Sequence, residues 1–194
     1  DYVETCVRLL ETRPEIGNAG GPLMPIGETR MGRTIALALR SPFSMGGSPF
    51  RYAAAPRAVD TVYLGAYRRR DLEPIGPFDV SLKANEDYEF NYRLRRAGWI
   101  IWCDPAVRSQ TYTRRTLGRL ARQYARYGFW KARVVWRHPR STLPRHLIAP
   151  LTLLLFLAGL LLAAHGGWLP AALLGAGYAA LNLAASWAAG WPWR

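Results

Sequence analysis

Beyond Asp104 the chain contains no acidic residue, although 12 of its 26 lysines and arginines lie there. Up to Asp104 the balance is nearly even, with 14 basic residues against 13 acidic ones, so the remainder of the chain carries nearly all of the formal charge of +13. Cysteine is scarce as well. Cys6 and Cys103 stand too far apart in sequence for a metal-ligand spacing and make no disulfide framework. Both read as small packing residues, compatible with a reducing compartment. Lysine is limited to Lys83 and Lys131, with arginine in its place elsewhere. Charge is missing altogether from residues 147–164 and again from 168–187, whose most polar member is Asn182.

Each uncharged stretch matches the ~20 residues that cross a hydrocarbon core ~30 Å thick. His165-Gly166-Gly167 between them leaves room only for a tight reversal, which predicts a transmembrane helical hairpin over residues 146–190. Buried core helices of a soluble protein are the alternative, but such long uncharged runs argue against it. Arg137, Arg140 and Arg145 precede the hairpin and Arg194 follows it, so the positive-inside rule places both ends in the cytoplasm. Trp168, Trp187, Trp191 and Trp193 fall near the span ends, as interfacial aromatics do. The basic belt over residues 108–145 runs directly into these spans. That adjacency points to membrane lipids as partners and away from nucleic acid, the other usual target of so basic a chain.

Residues 116–136 have helical spacing. Leu117, Leu120, Tyr124, Tyr127 and Lys131 share one face, while Arg115, Arg119, Arg122, Arg126 and Arg133 supply charge. A cationic amphipathic helix directly before a membrane span is expected to lie in the interface, which makes residues 113–145 an interfacial segment.

In the near-neutral half, Pro74-Ile-Gly-Pro-Phe-Asp79 reads as a tight turn, and Asn85-Glu-Asp-Tyr-Glu-Phe-Asn-Tyr-Arg-Leu-Arg-Arg-Ala-Gly98 as a helix with both ends marked. Asn85 is expected to cap the start by accepting a backbone N–H, and Gly98 to follow the end, where φ > 0 is wanted. Glu86 and Asp87 then occupy the positive end of the helix dipole, which favours their ionised forms. Acids there are a routine helix-start signal. An ionised carboxylate so placed can also take a proton from a substrate hydroxyl.

The order G-P-F-D, spacer, E-D-Y-E, R-L-R-R-A-G, apolar strand Trp99-Ile-Ile-Trp102, Asp104-Pro105 resembles the later half of the catalytic domain of family 2 glycosyltransferases. The likeness is to the branch that builds bacterial exopolysaccharides of the succinoglycan type. It implies an α/β fold over residues 1–112: the C-terminal half of a GT-A, Rossmann-like domain, its parallel sheet left with an open edge. It makes Asp87 the base and Glu86 its neighbour at the acceptor site. Gln123-Tyr-Ala-Arg126-Tyr127 is similar to the Q-x-x-R-W motif of processive members, implying contact of Gln123, Arg126 and Tyr127 with the donor diphosphate or the acceptor end. The strand around residues 60–68 resembles one whose Gly65-Ala66 step lines the acceptor pocket. The implied donor is a nucleotide-sugar such as a UDP-sugar. The implied acceptor is a lipid-linked saccharide or glycan, at the cytoplasmic face of a bacterial inner membrane.

Members of this family use Mg²⁺ or Mn²⁺ to neutralise the diphosphate. This chain contains no D-x-D and no residue is assigned to metal. The nucleotide- and metal-binding half would precede Asp1, so the chain alone is expected to have little activity. Two other readings stay open: a non-catalytic membrane anchor or assembly subunit, and a synthase acting on polyprenyl phosphate.

Overall fold

A computed structural model describes residues 1–46 and 48–188. Trp191, Trp193 and Arg194, expected beside a membrane surface, lie outside the described residues. The chain divides into two compact units, Asp1–Ser141 and the segment from Thr142 onward.

The first unit is mixed α/β. Helix α1 (Tyr2–Thr12) opens with a capping box in which the Asp1 carboxylate accepts the Glu4 N–H at 2.9 Å. Its buried Cys6 and Leu10 pack on β1 (Ile16–Gly21), a strand buried at every residue. β2 (Leu23–Ile26), α2 (Arg30–Arg40) and the single turn α3 (Pro42–Met45) follow. Next come β3 (Arg57–Val59), β4 (Tyr63–Ala66), α4 (Arg69–Leu72), α5 (Glu86–Arg96), β5 (Ile100–Cys103), β6 (Ser109–Tyr112) and α6 (Leu117–Arg137). The helix predicted from Asn85 to Gly98 is therefore present, with Gly98 at φ +94° just beyond it.

The main sheet has the order β3-β5-β1-β4, and a separate parallel pair joins β2 to β6. Within the main sheet β1 and β5 are parallel, whereas β4 on β1 and β3 on β5 are antiparallel. The sheet expected to be parallel is thus a mixed one. Its edges are strands of three and four residues, too short to offer much backbone for pairing with another chain. The central strand is poor in β-branched residues because neighbours press on its backbone: a Cβ on Gly21 would sit 1.6 Å from the Val107 carbonyl oxygen.

A buried polar chain ties this sheet to α5. Asn18 Nδ2 donates to Asn91 Oδ1 at 2.7 Å, and Asn91 Nδ2 donates to Thr61 Oγ1 at 2.9 Å. Gly65 leaves the space that the Asn18 carboxamide fills, since a Cβ there would lie 2.2 Å from Asn18 Oδ1. Gly65→Ala is expected to displace Asn18 and lower unfolding stability by about 1–3 kcal/mol, the usual range for overpacking. Urea unfolding followed by circular dichroism would measure it. An unchanged midpoint would mean that Asn18 is free to move aside.

Helix α5 packs in two directions. Leu94 joins Val62, Ile101 and Cys103 on the sheet side, while Tyr88 joins Leu82, Ala84, Trp130 and Val134 on the α6 side. The stripe of α6 that packs is therefore centred on Trp130 and Val134, rotated from the face expected to run through Leu117 and Leu120. Phe129 and Trp136 point outward, the latter 87% exposed.

In the second unit α7 (Pro144–Ala164) and α8 (Trp168–Ala188) form a hairpin. The turn uses Gly166 at φ +89° and a 2.8 Å bond from Gly167 N–H to the Leu162 carbonyl. The helices approach closely at Gly159, where a Cβ would stand 3.4 Å from Ala171 Cα, and Phe156 meets Tyr178 edge to face. Each has 21 residues and is long and apolar enough to cross a membrane.

Candidate functional site

The site is built around the first turn of α5. Asn85 occupies the cap position with φ +63°, a left-handed conformation that asparagine tolerates better than most residues. Its side chain does not cap the helix, contrary to the sequence expectation. Instead Asn85 Nδ2 donates to the Tyr127 carbonyl of α6 at 3.1 Å. One residue thus sets the turn into the acidic pair and fastens that turn to the Q-x-x-R-Y segment. Asn85→Gly keeps the conformation and loses the bond, whereas Asn85→Ala loses both. The expected costs are about 1 kcal/mol for Gly, from the lost hydrogen bond, and about 1–2 kcal/mol more for Ala, from left-handed strain. Chemical denaturation of the two variants side by side would check the order.

Asp87 is open to solvent, yet protein crowds its carboxylate on most sides. Burial pushes its carboxyl above the ordinary aspartate value, and the neighbouring Glu86 adds to the rise. The Tyr88 N–H, donating to Asp87 Oδ1 at 2.7 Å, and the Lys131 ammonium pull the other way. Desolvation therefore outweighs the helix-end effect that the sequence suggests. A carboxylate with raised proton affinity is the stronger base when met by a hydroxyl. Glu86 Oε2 is buried with no hydrogen-bond partner among the described residues.

Two further side chains share this electrostatic neighbourhood. Lys131 places Nζ 3.0 Å from the centroid of the Tyr88 ring, a cation–π contact. The Tyr67 hydroxyl donates to Asn91 Oδ1 at 3.3 Å, and its proton is held more tightly than in free tyrosine by burial and by the Asp87 charge. Neither residue was assigned a site role from sequence. The one available signal was rarity: Lys131 is one of two lysines in an arginine-rich chain.

On α6, Gln123 and Tyr127 are joined by a 2.8 Å bond from Nε2 to the phenol oxygen, and Gln123 Oε1 accepts Arg114 Nε at 3.0 Å. Arg126 is exposed, its guanidinium 5.9 Å from the Tyr127 ring centroid. Tyr127 is the link: its carbonyl holds Asn85 and its hydroxyl holds Gln123. Gly65 and Ala66 sit on β4, where Ala66 pairs with Ala19, and Gly65 reaches α5 through the Asn18–Asn91 bond. Among the described residues no group of three or more His, Cys, Asp and Glu side chains is placed to hold a metal ion. The residues present do not fit Mg²⁺ or Mn²⁺.

The chain is 28% identical over 134 residues to the dolichyl N-acetyl-alpha-D-glucosaminyl phosphate 3-beta-D-2,3-diacetamido-2,3-dideoxy-beta-D-glucuronosyltransferase of Methanococcus voltae. It is 29% identical over 135 residues to succinoglycan biosynthesis protein ExoA of Rhizobium meliloti. This chain resembles glycosyltransferases. Each match covers 69% of this chain and 41% of the relative, so the chain spans about two fifths of the length of these glycosyltransferase relatives. No family model and no solved structure matches. The glycosyltransferase likeness inferred from motif order, with its succinoglycan branch, is borne out.

Proposed function

We propose that this chain is the acceptor and base portion of an inverting, membrane-anchored glycosyltransferase of family 2, with a GT-A catalytic domain. The observation that carries the reading is Asp87: a solvent-reachable carboxylate with raised proton affinity at a helix start, in a chain similar to two glycan-building proteins. An acceptor hydroxyl bound at Asp87 gives its proton to the carboxylate as its oxygen attacks the anomeric carbon of the donor. The bond from that carbon to the nucleoside diphosphate breaks on the opposite side, and configuration inverts. Arg126 offers planar donors to the departing diphosphate, where negative charge accumulates. Gln123 and Tyr127 keep that segment of α6 in register with Asn85 and Asp87. Gly65 and Ala66 lie at the acceptor side.

The donor is a nucleotide-sugar, taken here as a UDP-sugar, and the acceptor a lipid-linked saccharide or glycan. Chemistry occurs at the cytoplasmic face, with α7 and α8 as the membrane anchor. The complete protein, carrying its upstream nucleotide-binding region, is expected to hydrolyse or transfer from one of a panel of UDP-sugars. Any Mg²⁺ or Mn²⁺ requirement would be met by residues outside this chain. Proton NMR of the anomeric centre in the product decides stereochemistry. Retention of configuration, or no turnover with any sugar nucleotide, would refute the reading.

A further inference from the structure

We propose that Lys131 is a positioning residue for Asp87, its ammonium seated on α6 as the fixed counter-charge of the proposed base. This rests on the glycosyltransferase reading and adds a residue to its site. Lys131 lies one helical turn beyond Tyr127, which binds Asn85, so the same stretch of α6 that locks the start of α5 delivers the charge. Its seat is rigid. The Tyr88 ring beneath Nζ is buried among Trp130 and Val134, and the Tyr88 hydroxyl donates to the Ser141 carbonyl at 2.5 Å.

Three groups act on the charge of the Asp87 carboxylate, whose Oδ1 takes the N–H of the same Tyr88 that carries Lys131 on its ring. Glu86 from α5 repels it, the Tyr67 hydroxyl from the segment after β4 is neutral, and Lys131 from α6 is the cation among them. Lysine suits the task better than the arginine used nearly everywhere else in the chain. A guanidinium would grip the carboxylate through two parallel hydrogen bonds and occupy the oxygens that must receive a proton. An ammonium seated over an aromatic ring gives its field without a planar two-pronged grip on those oxygens. The base is thereby coupled to the docking of α6: when Tyr127 and Ser141 hold α5, the counter-charge is in place.

The test uses the whole chain in detergent micelles with ¹³C-carboxyl-labelled aspartate, the Asp87 resonance being assigned by its loss in Asp87→Asn. Lys131→Met is expected to move the Asp87 titration midpoint to higher pH, and Lys131→Arg to hold it at or below that of the unsubstituted chain. In the complete enzyme, Lys131→Met then loses about tenfold in rate for each unit the midpoint rises, at pH values below it. Lys131→Arg avoids the upward movement but does not keep the turnover, because its guanidinium engages the carboxylate. If Lys131→Met does not fold, Tyr88→Leu removes the ring seat while keeping the lysine, and the same upward movement is expected. An unmoved Asp87 midpoint in a folded variant overturns the proposal. The titration needs no turnover, so its failure leaves the transferase reading intact. Absence of sugar transfer by the complete enzyme would refute that reading and leave the titration standing.

Discussion

Asp87→Asn in the complete enzyme is expected to lower turnover by about 10²–10⁴-fold, the usual contribution of a positioned general base, with donor affinity and folding little changed. The amide is nearly the same shape and can still accept the Tyr88 N–H that now meets Asp87 Oδ1 at 2.7 Å. What it cannot do is take a proton from the attacking hydroxyl. Glu86 is not expected to substitute for it, because successive residues of a helix do not face the same side. The pH profile supplies an independent check. In the proposed role of base Asp87 acts when ionised, and burial raises its carboxyl above the ordinary aspartate value. Activity should therefore rise with pH through a midpoint above the ordinary aspartate value, and this limb should vanish from the residual activity of Asp87→Asn. Nucleoside diphosphate release, followed by chromatography between pH 4 and 8, measures both. Turnover within threefold of the unsubstituted enzyme would remove Asp87 from the role of base.

The parts of this fold that a reader of the sequence could foresee are those governed by local chemistry. The end of α5 is legible because Gly98 is the residue that takes φ +94° without strain. The hairpin of α7 and α8 is legible because two 21-residue apolar helices with a glycine turn between them have few alternatives in water. The role of Asn85 was not, since asparagine is at home both as a helix cap and in the left-handed region, and only the position of Tyr127 decides between them. Strand direction was hidden too, because β3 and β4 are too short to show an alternating pattern and their antiparallel pairing is a matter of long-range contacts. On α6, large apolar residues lie on more than one side. Periodicity alone cannot tell that Trp130 and Val134 pack inward while Phe129 and Trp136 face out. The acidic pair was legible as a candidate site, and its electrostatics were not: the dipole suggests an easily ionised Asp87, while burial acts in the opposite sense and wins.

The largest expected effect on stability comes from Arg93→Ala, which should lower the unfolding midpoint by about 10 °C. Removing one partner of a buried ion pair costs about 3–5 kcal/mol, and each kcal/mol moves the midpoint of a unit this size by about 2–4 °C. Glu89 is 3% exposed and takes two hydrogen bonds from the Arg93 guanidinium, at 2.8 and 3.0 Å. The same guanidinium reaches the carbonyls of Ile75 at 2.5 Å and Pro77 at 2.7 Å, so it also fastens the G-P-F-D turn to α5. That turn is held elsewhere by Phe78 stacked on Phe90 and by Asp79, which bonds Ser81 and Arg137. His138 Nε2 stands 3.0 Å from Glu89 Oε1 but cannot replace a bidentate, permanently charged partner. Two origins of the loss can be separated. If the stranded Glu89 charge dominates, Glu89→Gln added to Arg93→Ala should recover part of the midpoint, because the amide is cheaper to bury than a carboxylate. If the freed turn dominates, the double variant should melt no higher than Arg93→Ala alone. Differential scanning calorimetry of the four proteins in the cycle reads this directly, and a fall of under about 3 °C in Arg93→Ala would show that the ion pair is dispensable to the fold.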